Sequence, residues 1–144
     1  ILKSPVDILW NGGVGTFVKS SKETHADVDD RTNDGLRING KDLQAKVVCE
    51  GGNLGLTQLG RVEYALAGGL INTDFIDNSA GVDCSDQEVN IKIMLQSIMR
   101  ANQLDETQRN KLLVSMTDQV KDIVLKHNIQ QSRAITSNTK QGRH

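Results

Sequence analysis

Three times along the chain a short apolar run passes directly into a loop of glycine or other small residues, and this recurrence restricts the possible folds more than any other feature. Val6-Asp7-Ile8-Leu9-Trp10 runs into Asn11-Gly12-Gly13, and Ala45-Lys46-Val47-Val48-Cys49 runs into Glu50-Gly51-Gly52-Asn53. The third run, Ile71-Asn72-Thr73-Asp74-Phe75-Ile76, alternates with polar residues and leads into Asp77-Asn78-Ser79-Ala80-Gly81. The first two read as buried strands and the third as a partly exposed one. Between the second and third, Leu56, Leu59, Val62, Ala65 and Leu66 recur at helical spacing, with Thr57 placed to cap the helix and Gly68-Gly69 to stop it. A strand-helix-strand unit of this kind builds a parallel sheet through a right-handed crossover, and ligands then bind beyond the carboxyl ends of the strands. All three loops are expected at that edge.

Beyond the third loop the pattern turns helical. Ser85-Asp86-Gln87-Glu88 has capping-box spacing, with Ile91, Met94, Leu95, Ile98 and Met99 on one face behind it. A second helix is expected from Asp105, with Gln108 three residues on and Leu112, Leu113, Met116, Val120, Ile123 and Val124 on one stripe, ending near Asn128. The expected class is α/β, a partial doubly wound, Rossmann-like parallel sheet with a C-terminal antiparallel helix pair packed against it. Residues 1–128 form the folded part and residues 129–144 a polar tail. The polar segment from Ser20 to Gln44 reads as an excursion between the first two strands, with Asn39-Gly40 marking a two-residue hairpin.

Charge and composition narrow the function classes. A net charge of −1, with Lys and Arg scattered along the chain, leaves no footprint for nucleic acid. No apolar run approaches the ~20 residues of a membrane span, and no secretory leader is evident, so the chain reads as cytoplasmic with no membrane partner. Cys49 and Cys84 lack paired spacing and read as reduced. An opening at Ile1 without Met and a polar close suggest a piece excised from a longer protein.

Each loop admits two readings. Asn11-Gly12-Gly13-Val14-Gly15 lacks the third glycine of a GxGxxG loop, so it is a tight structural turn or a ligand loop. Glu50-Gly51-Gly52-Asn53-Leu54-Gly55 is a helix-entry turn or a place where glycines admit a ligand close to the backbone and Asn53 offers both donor and acceptor. Asp77 to Val82 has small residues that leave room for something flat. Ser85 reads first as an N-cap. His25 with Asp27, Asp29 and Asp30 reads as a charged surface loop rather than a metal cluster, and His127 as a dipole partner at a helix end.

Taken together, the loops resemble one family. Val47-Val48-Cys49-Glu50-Gly51-Gly52-Asn53 is similar to the Glu-Gly-Ala-Asn stretch of glutamate dehydrogenases, and Asp77 to Ser85 is similar to their Asn-Ala-Gly-Gly-Val segment and the serine after it. The wording around Trp10 to Thr16, Gly51 to Gln58 and Ile76 to Val89 resembles the large, NAD-specific bacterial branch. That resemblance implies the second half of a dinucleotide-binding domain, NAD as cofactor, L-glutamate and 2-oxoglutarate as substrate and product, and a homo-oligomer. It implies that Asn11, Gly12 and Gly13 pass the cofactor, that Gly52 binds the cofactor, that Asn53 lies by the nicotinamide-side ribose, and that Asn78 lies by the nicotinamide amide. Ser85 falls on the serine that holds the substrate's side-chain carboxylate, although Asp83 and Asp86 flank it where smaller members carry uncharged residues. The family's glycine-rich phosphate loop, acidic ribose-binding residue and catalytic lysine and aspartate map onto no residue here, so the chain alone is expected to be inactive. The alternatives are a dehydrogenase of an apolar amino acid such as leucine or phenylalanine, and a non-catalytic interaction module.

Overall fold

A computed structural model describes residues 1–142. The chain divides into two units, residues 1–78 and residues 79 onward. Strands β1 (Ile8–Asn11), β2 (Val18–Lys19), β3 (Ile38–Asn39), β4 (Val47–Glu50) and β5 (Leu70–Ile71) lie in the first unit with helices α1 (His25–Val28), α2 (Gln58–Leu66) and α3 (Asp74–Asp77). The second unit holds α4 (Asp83–Arg100) and α5 (Glu106–Gln141). The class is α/β, and among the described residues no helix is long and apolar enough to cross a membrane.

The main sheet has the order β1-β4-β5 with both pairings parallel, Asn11 facing Glu50 and Val48 facing Ile71. A parallel connection needs a crossover, and α2 supplies the one between β4 and β5. Thr57 caps α2 as expected, its hydroxyl accepting the Gly60 amide at 2.9 Å, and Gly68 turns the chain out of the helix at φ 99°. The first unit's core is Val18, Leu43, Ala45, Val48, Leu56 and Tyr64, with Leu9, Phe17, Ile38 and Ile71 packed against it.

Several expectations are corrected. β1 is an edge strand rather than a buried one: Ile8 and Trp10 are 62% and 64% exposed, and only the alternate residue Leu9 packs on the core. The apolar stripe of α2 does not face the core, since Leu59, Val62 and Leu66 are exposed and the buried face is Gly60, Arg61 and Tyr64. Gly60 lets the helix approach closely, because a Cβ there would stand 2.8 Å from the Lys19 carbonyl carbon. Tyr64 then reaches the Ala45 carbonyl with its hydroxyl at 2.6 Å.

Asn39-Gly40 makes no hairpin. β2 and β3 pair in parallel, and Gly40 opens a 3-10 turn, Gly40–Asp42, beneath α2, where a Cβ would stand 2.4 Å from the Gly60 carbonyl oxygen. The third strand is also shorter than expected. It ends at Ile71, and Asp74 to Asp77 turn into α3 because their carboxylates bind backbone amides of the β4 loop.

In the second unit α5 starts as expected: Asp105 and Gln108 each accept the other's amide, at 2.7 and 2.9 Å. It does not end at Asn128. No glycine or proline interrupts residues 129–141, and the helix runs to Gln141, taking in most of the polar tail. His144 lies outside the described residues. Leu95 of α4 and Val124 of α5, each on its predicted face, are the buried residues among those described in this unit.

Candidate functional site

The carboxyl ends of β1 and β4 are adjacent because the two strands pair in parallel, so the loops after them meet. The Gly51 amide donates to the Asn11 carbonyl at 2.9 Å, extending the ladder by one bond beyond Glu50. A Cβ on Gly52 would stand 2.8 Å from the Gly13 carbonyl oxygen, and one on Gly51 would stand 2.6 Å from the Trp10 indole. Glycine is therefore what lets the two loops close on each other. A Cβ on Gly13 would touch nothing within 4 Å, so that residue borders open space. Gly12 lies against the Trp10 ring and Asn11 against Gly55.

Asn53 and Asn78 come together although 25 residues separate them: the Asn78 Nδ2 donates to the Asn53 Oδ1 at 3.1 Å. Thus Asn11, Gly12, Gly13, Gly52, Asn53 and Asn78 all lie at one edge of the first unit, as the strand-loop pattern predicts. The chemistry on offer is a set of carboxamides and backbone groups that bind and orient rather than exchange protons. Carboxamides present donor and acceptor together, which is the complement of another carboxamide.

Behind this edge lies a layer of acidic and basic side chains. Glu50 is fully buried and ion-paired with Arg61, which also donates to the Asn72 carbonyl at 2.9 Å, while the other Glu50 oxygen accepts the Gly55 amide at 2.8 Å. Asp77 accepts the Glu50 amide at 3.1 Å and Asp74 accepts the Leu54 amide at 2.8 Å. Leu54, 61% exposed, sits at φ 60°, a left-handed conformation that costs a branched residue energy and persists only when its surroundings hold it. Burial, reinforced by Asp77, pushes the Cys49 thiol up from its ordinary value, which disfavours the thiolate.

None of Glu50, Arg61, Asp74 or Asp77 was singled out from the sequence. The available signal was the spacing of Asp74 and Asp77, three apart, which suits a helical turn and not a strand.

Ser85 belongs to the second unit. It does not cap α4: the helix starts at Asp83, Val82 is the N-cap and makes no side-chain capping bond, and Ser85 is exposed in the first turn. His127 is not at a helix end either. It lies within α5 and its Nδ1 is 2.9 Å from the Asp83 carboxylate, while the neighbouring Asn128 Nδ2 donates to the Ser79 hydroxyl at 2.6 Å. His25 is not a loop residue facing only solvent, since its Nδ1 lies 2.9 Å from Arg37. Cys49 and Cys84 are both free.

The sequence of residues 1–138 matches the family described as bacterial NAD-glutamate dehydrogenase, catalytic domain. Among similar proteins is the NAD-specific glutamate dehydrogenase of Pseudomonas aeruginosa, 64% identical over 136 residues, covering 94% of this chain and 8% of that protein. The proteins of the same name from Halomonas elongata and Mycobacterium tuberculosis are each 56% identical, over 94% and 92% of this chain respectively, and again over 8% of their own length. The chain thus spans a small part of the relatives it matches.

Proposed function

The chain belongs to the bacterial NAD-glutamate dehydrogenase catalytic-domain family, and we propose that it forms one wall of the nicotinamide pocket in an enzyme converting L-glutamate, NAD and water to 2-oxoglutarate, ammonia and NADH. The observation that carries this reading is the meeting of Asn53 and Asn78 beside the Gly12-Gly13 and Gly51-Gly52 loops at the carboxyl edge of a parallel sheet. The residues suit NAD. Gly13 borders open space where a pyridine nucleotide's backbone contacts could lie, and two carboxamides match the donor and acceptor of a nicotinamide amide. When bound, NAD supplies the hydride-accepting ring, and the protein contributes binding, orientation and electrostatics.

In this reading Asn11, Gly12, Gly13 and Gly52 line the cofactor's path, Asn53 faces the ribose, and Asn78 orients the nicotinamide amide. Ser85 holds the substrate's side-chain carboxylate from the first turn of α4, near the positive end of that helix. The His127 Nδ1 lies 2.9 Å from the neighbouring Asp83 carboxylate. The names of the relatives favour glutamate over an apolar amino acid. The same proposal includes a Rossmann-like half-sheet, an antiparallel α4–α5 pair, a homo-oligomer and a cytoplasmic location. The antiparallel pairing is supported by the short connection from Ala101 to Asp105 together with the contact between Asp83 and His127.

The test is Asn78→Ala in the full-length enzyme. Misplacing the ring lowers the population of near-attack geometries, so kcat should fall by roughly ten- to a hundred-fold and NAD affinity by less. Steady-state kinetics with NAD and glutamate varied in turn reads both, and an unchanged kcat rules the role out.

A further inference from the structure

Asn53 and Asn78 lie on different segments, and Asp74 is bonded to the residue after the first and to the backbone of the second. The Asp74 Oδ2 accepts the amide of Leu54, the residue after Asn53, at 2.8 Å, and the Asp74 backbone carbonyl accepts the amide of Asn78 at 2.7 Å. Its Oδ1 accepts the Phe75 amide at 3.0 Å, which fixes the carboxylate's orientation. At 7% exposure Asp74 sits behind the two asparagines and not among the groups at the surface.

The bond to Leu54 falls where the backbone most needs support. Leu54 occupies the left-handed region at φ 60°, and its exposed side chain contributes little packing to hold it there. On either side of the loop the amides of Glu50 and Gly55 are already bound, by Asp77 and by the buried Glu50 carboxylate. Leu54 is the point between those anchors, and Asp74 is its hydrogen-bond acceptor. Loss of that acceptor releases the strained residue next to Asn53 and leaves a part-buried amide without its partner.

We infer that Asp74 is a positioning residue for the nicotinamide pocket, holding the Asn53 and Asn78 side chains in register with each other without itself touching the cofactor. This rests on the cofactor reading proposed above. A carboxylate is suited to the task because it accepts two amides at once, one on each oxygen, and charge-assisted bonds are shorter and stronger than neutral ones.

The experiment compares Asp74→Ala and Asp74→Asn in the full-length enzyme. In Asp74→Ala, amide hydrogen exchange in the peptide spanning residues 50–56, measured without cofactor, is expected to quicken by about ten-fold or more. Its kcat should fall by about ten-fold or more while the glutamate KM stays within about two-fold of the parent value. Asp74→Asn keeps one oxygen to accept from Leu54 but loses the charge and the second acceptor facing Phe75, so it should recover part of both losses. Unchanged exchange or unchanged kcat in folded Asp74→Ala overturns the inference, and so does equal impairment of the two variants. If Asp74→Ala does not fold, Asp74→Glu takes its place: it shifts the acceptor by one methylene, and unchanged exchange over residues 50–56 again overturns the inference. Asn53→Ala and Asn78→Ala are assayed alongside. If these lower kcat and Asp74→Ala does not, the positioning role falls and the cofactor reading stands. If both leave kcat and the NAD KM at parent values, the cofactor reading falls and the inference with it.

Discussion

Glu63 shows how a single surface-facing carboxylate can tie distant segments together. Its Oε2 accepts from the Ser20 hydroxyl and from both the amide and hydroxyl of Ser21, and its Oε1 accepts the Lys41 amide. Burial alone would raise its pKa from 4.5, but the bonds from Lys41, Ser21 and Ser20 outweigh that and bring it down to about 2. A depressed carboxylate pKa contributes stability that is complete above the unfolded value and disappears as pH falls through the folded one. The window is therefore pH 4.5 down to about 2. Glu63→Gln should lower stability at neutral pH by on the order of 1 kcal/mol, the partial exposure discounting the full charge-assisted value. The gap between variant and parent should narrow as pH falls through that window. Thermal melts of both proteins from pH 7 to 2 measure it, and a constant gap excludes the role.

Between elements, the closest approach involves two glycines. Gly40, opening the turn after β3, and Gly60, in the first turn of α2, bring their backbones together so that the helix lies directly on the β2–β3 pair. A methyl on Gly40 would stand 2.4 Å from the Gly60 carbonyl oxygen, with backbone rather than a flexible side chain in its way. Gly40→Ala should therefore destabilise by roughly 1–3 kcal/mol through overpacking. Gly13→Ala, whose methyl would meet nothing within 4 Å, should change stability by no more than about 0.5 kcal/mol. Denaturant unfolding of the two variants distinguishes them, and equal costs would mean that glycine's backbone freedom matters here and close packing does not.

At the scale of the whole chain, β1 lies at one edge of the main sheet with Ile8 and Trp10 on its exposed face. An unpaired strand edge flanked by large apolar side chains is a template for association. The isolated chain is expected to self-associate in the micromolar range, and Ile8→Lys with Trp10→Lys should return it toward monomer. Sedimentation velocity across that range is the measurement; a monomeric parent chain would contradict the expectation. The exposed stripe of Leu59, Val62 and Leu66 on α2 belongs to the same scale, since it forms a second apolar face on the first unit.

What the sequence determined by itself is whatever depends on neighbours a few residues away. Thr57 caps α2 through an amide three residues on, Asp105 and Gln108 close a capping box, and β-branched Val47 and Val48 lead into the Gly51-Gly52 loop. The parallel order of β1, β4 and β5 follows from the strand-loop rhythm, and with it the gathering of Asn11, Gly12, Gly13, Gly52, Asn53 and Asn78. Tertiary structure decided what depends on partners far along the chain. Arg37, in a segment that reads as a polar excursion, is buried because it donates to the Thr16 and Asp30 carbonyls. The buried face of α2 was set by Arg61 meeting Glu50 and by Gly60 meeting Lys19, against the helix's own apolar stripe. Asp74 and Asp77 interrupt a strand-like pattern because the amides they bind lie 20 and 27 residues back, at Leu54 and Glu50. A buried charge needs its partner in place before burial is favourable, and such a partner is invisible to any reading confined to one turn or one strand.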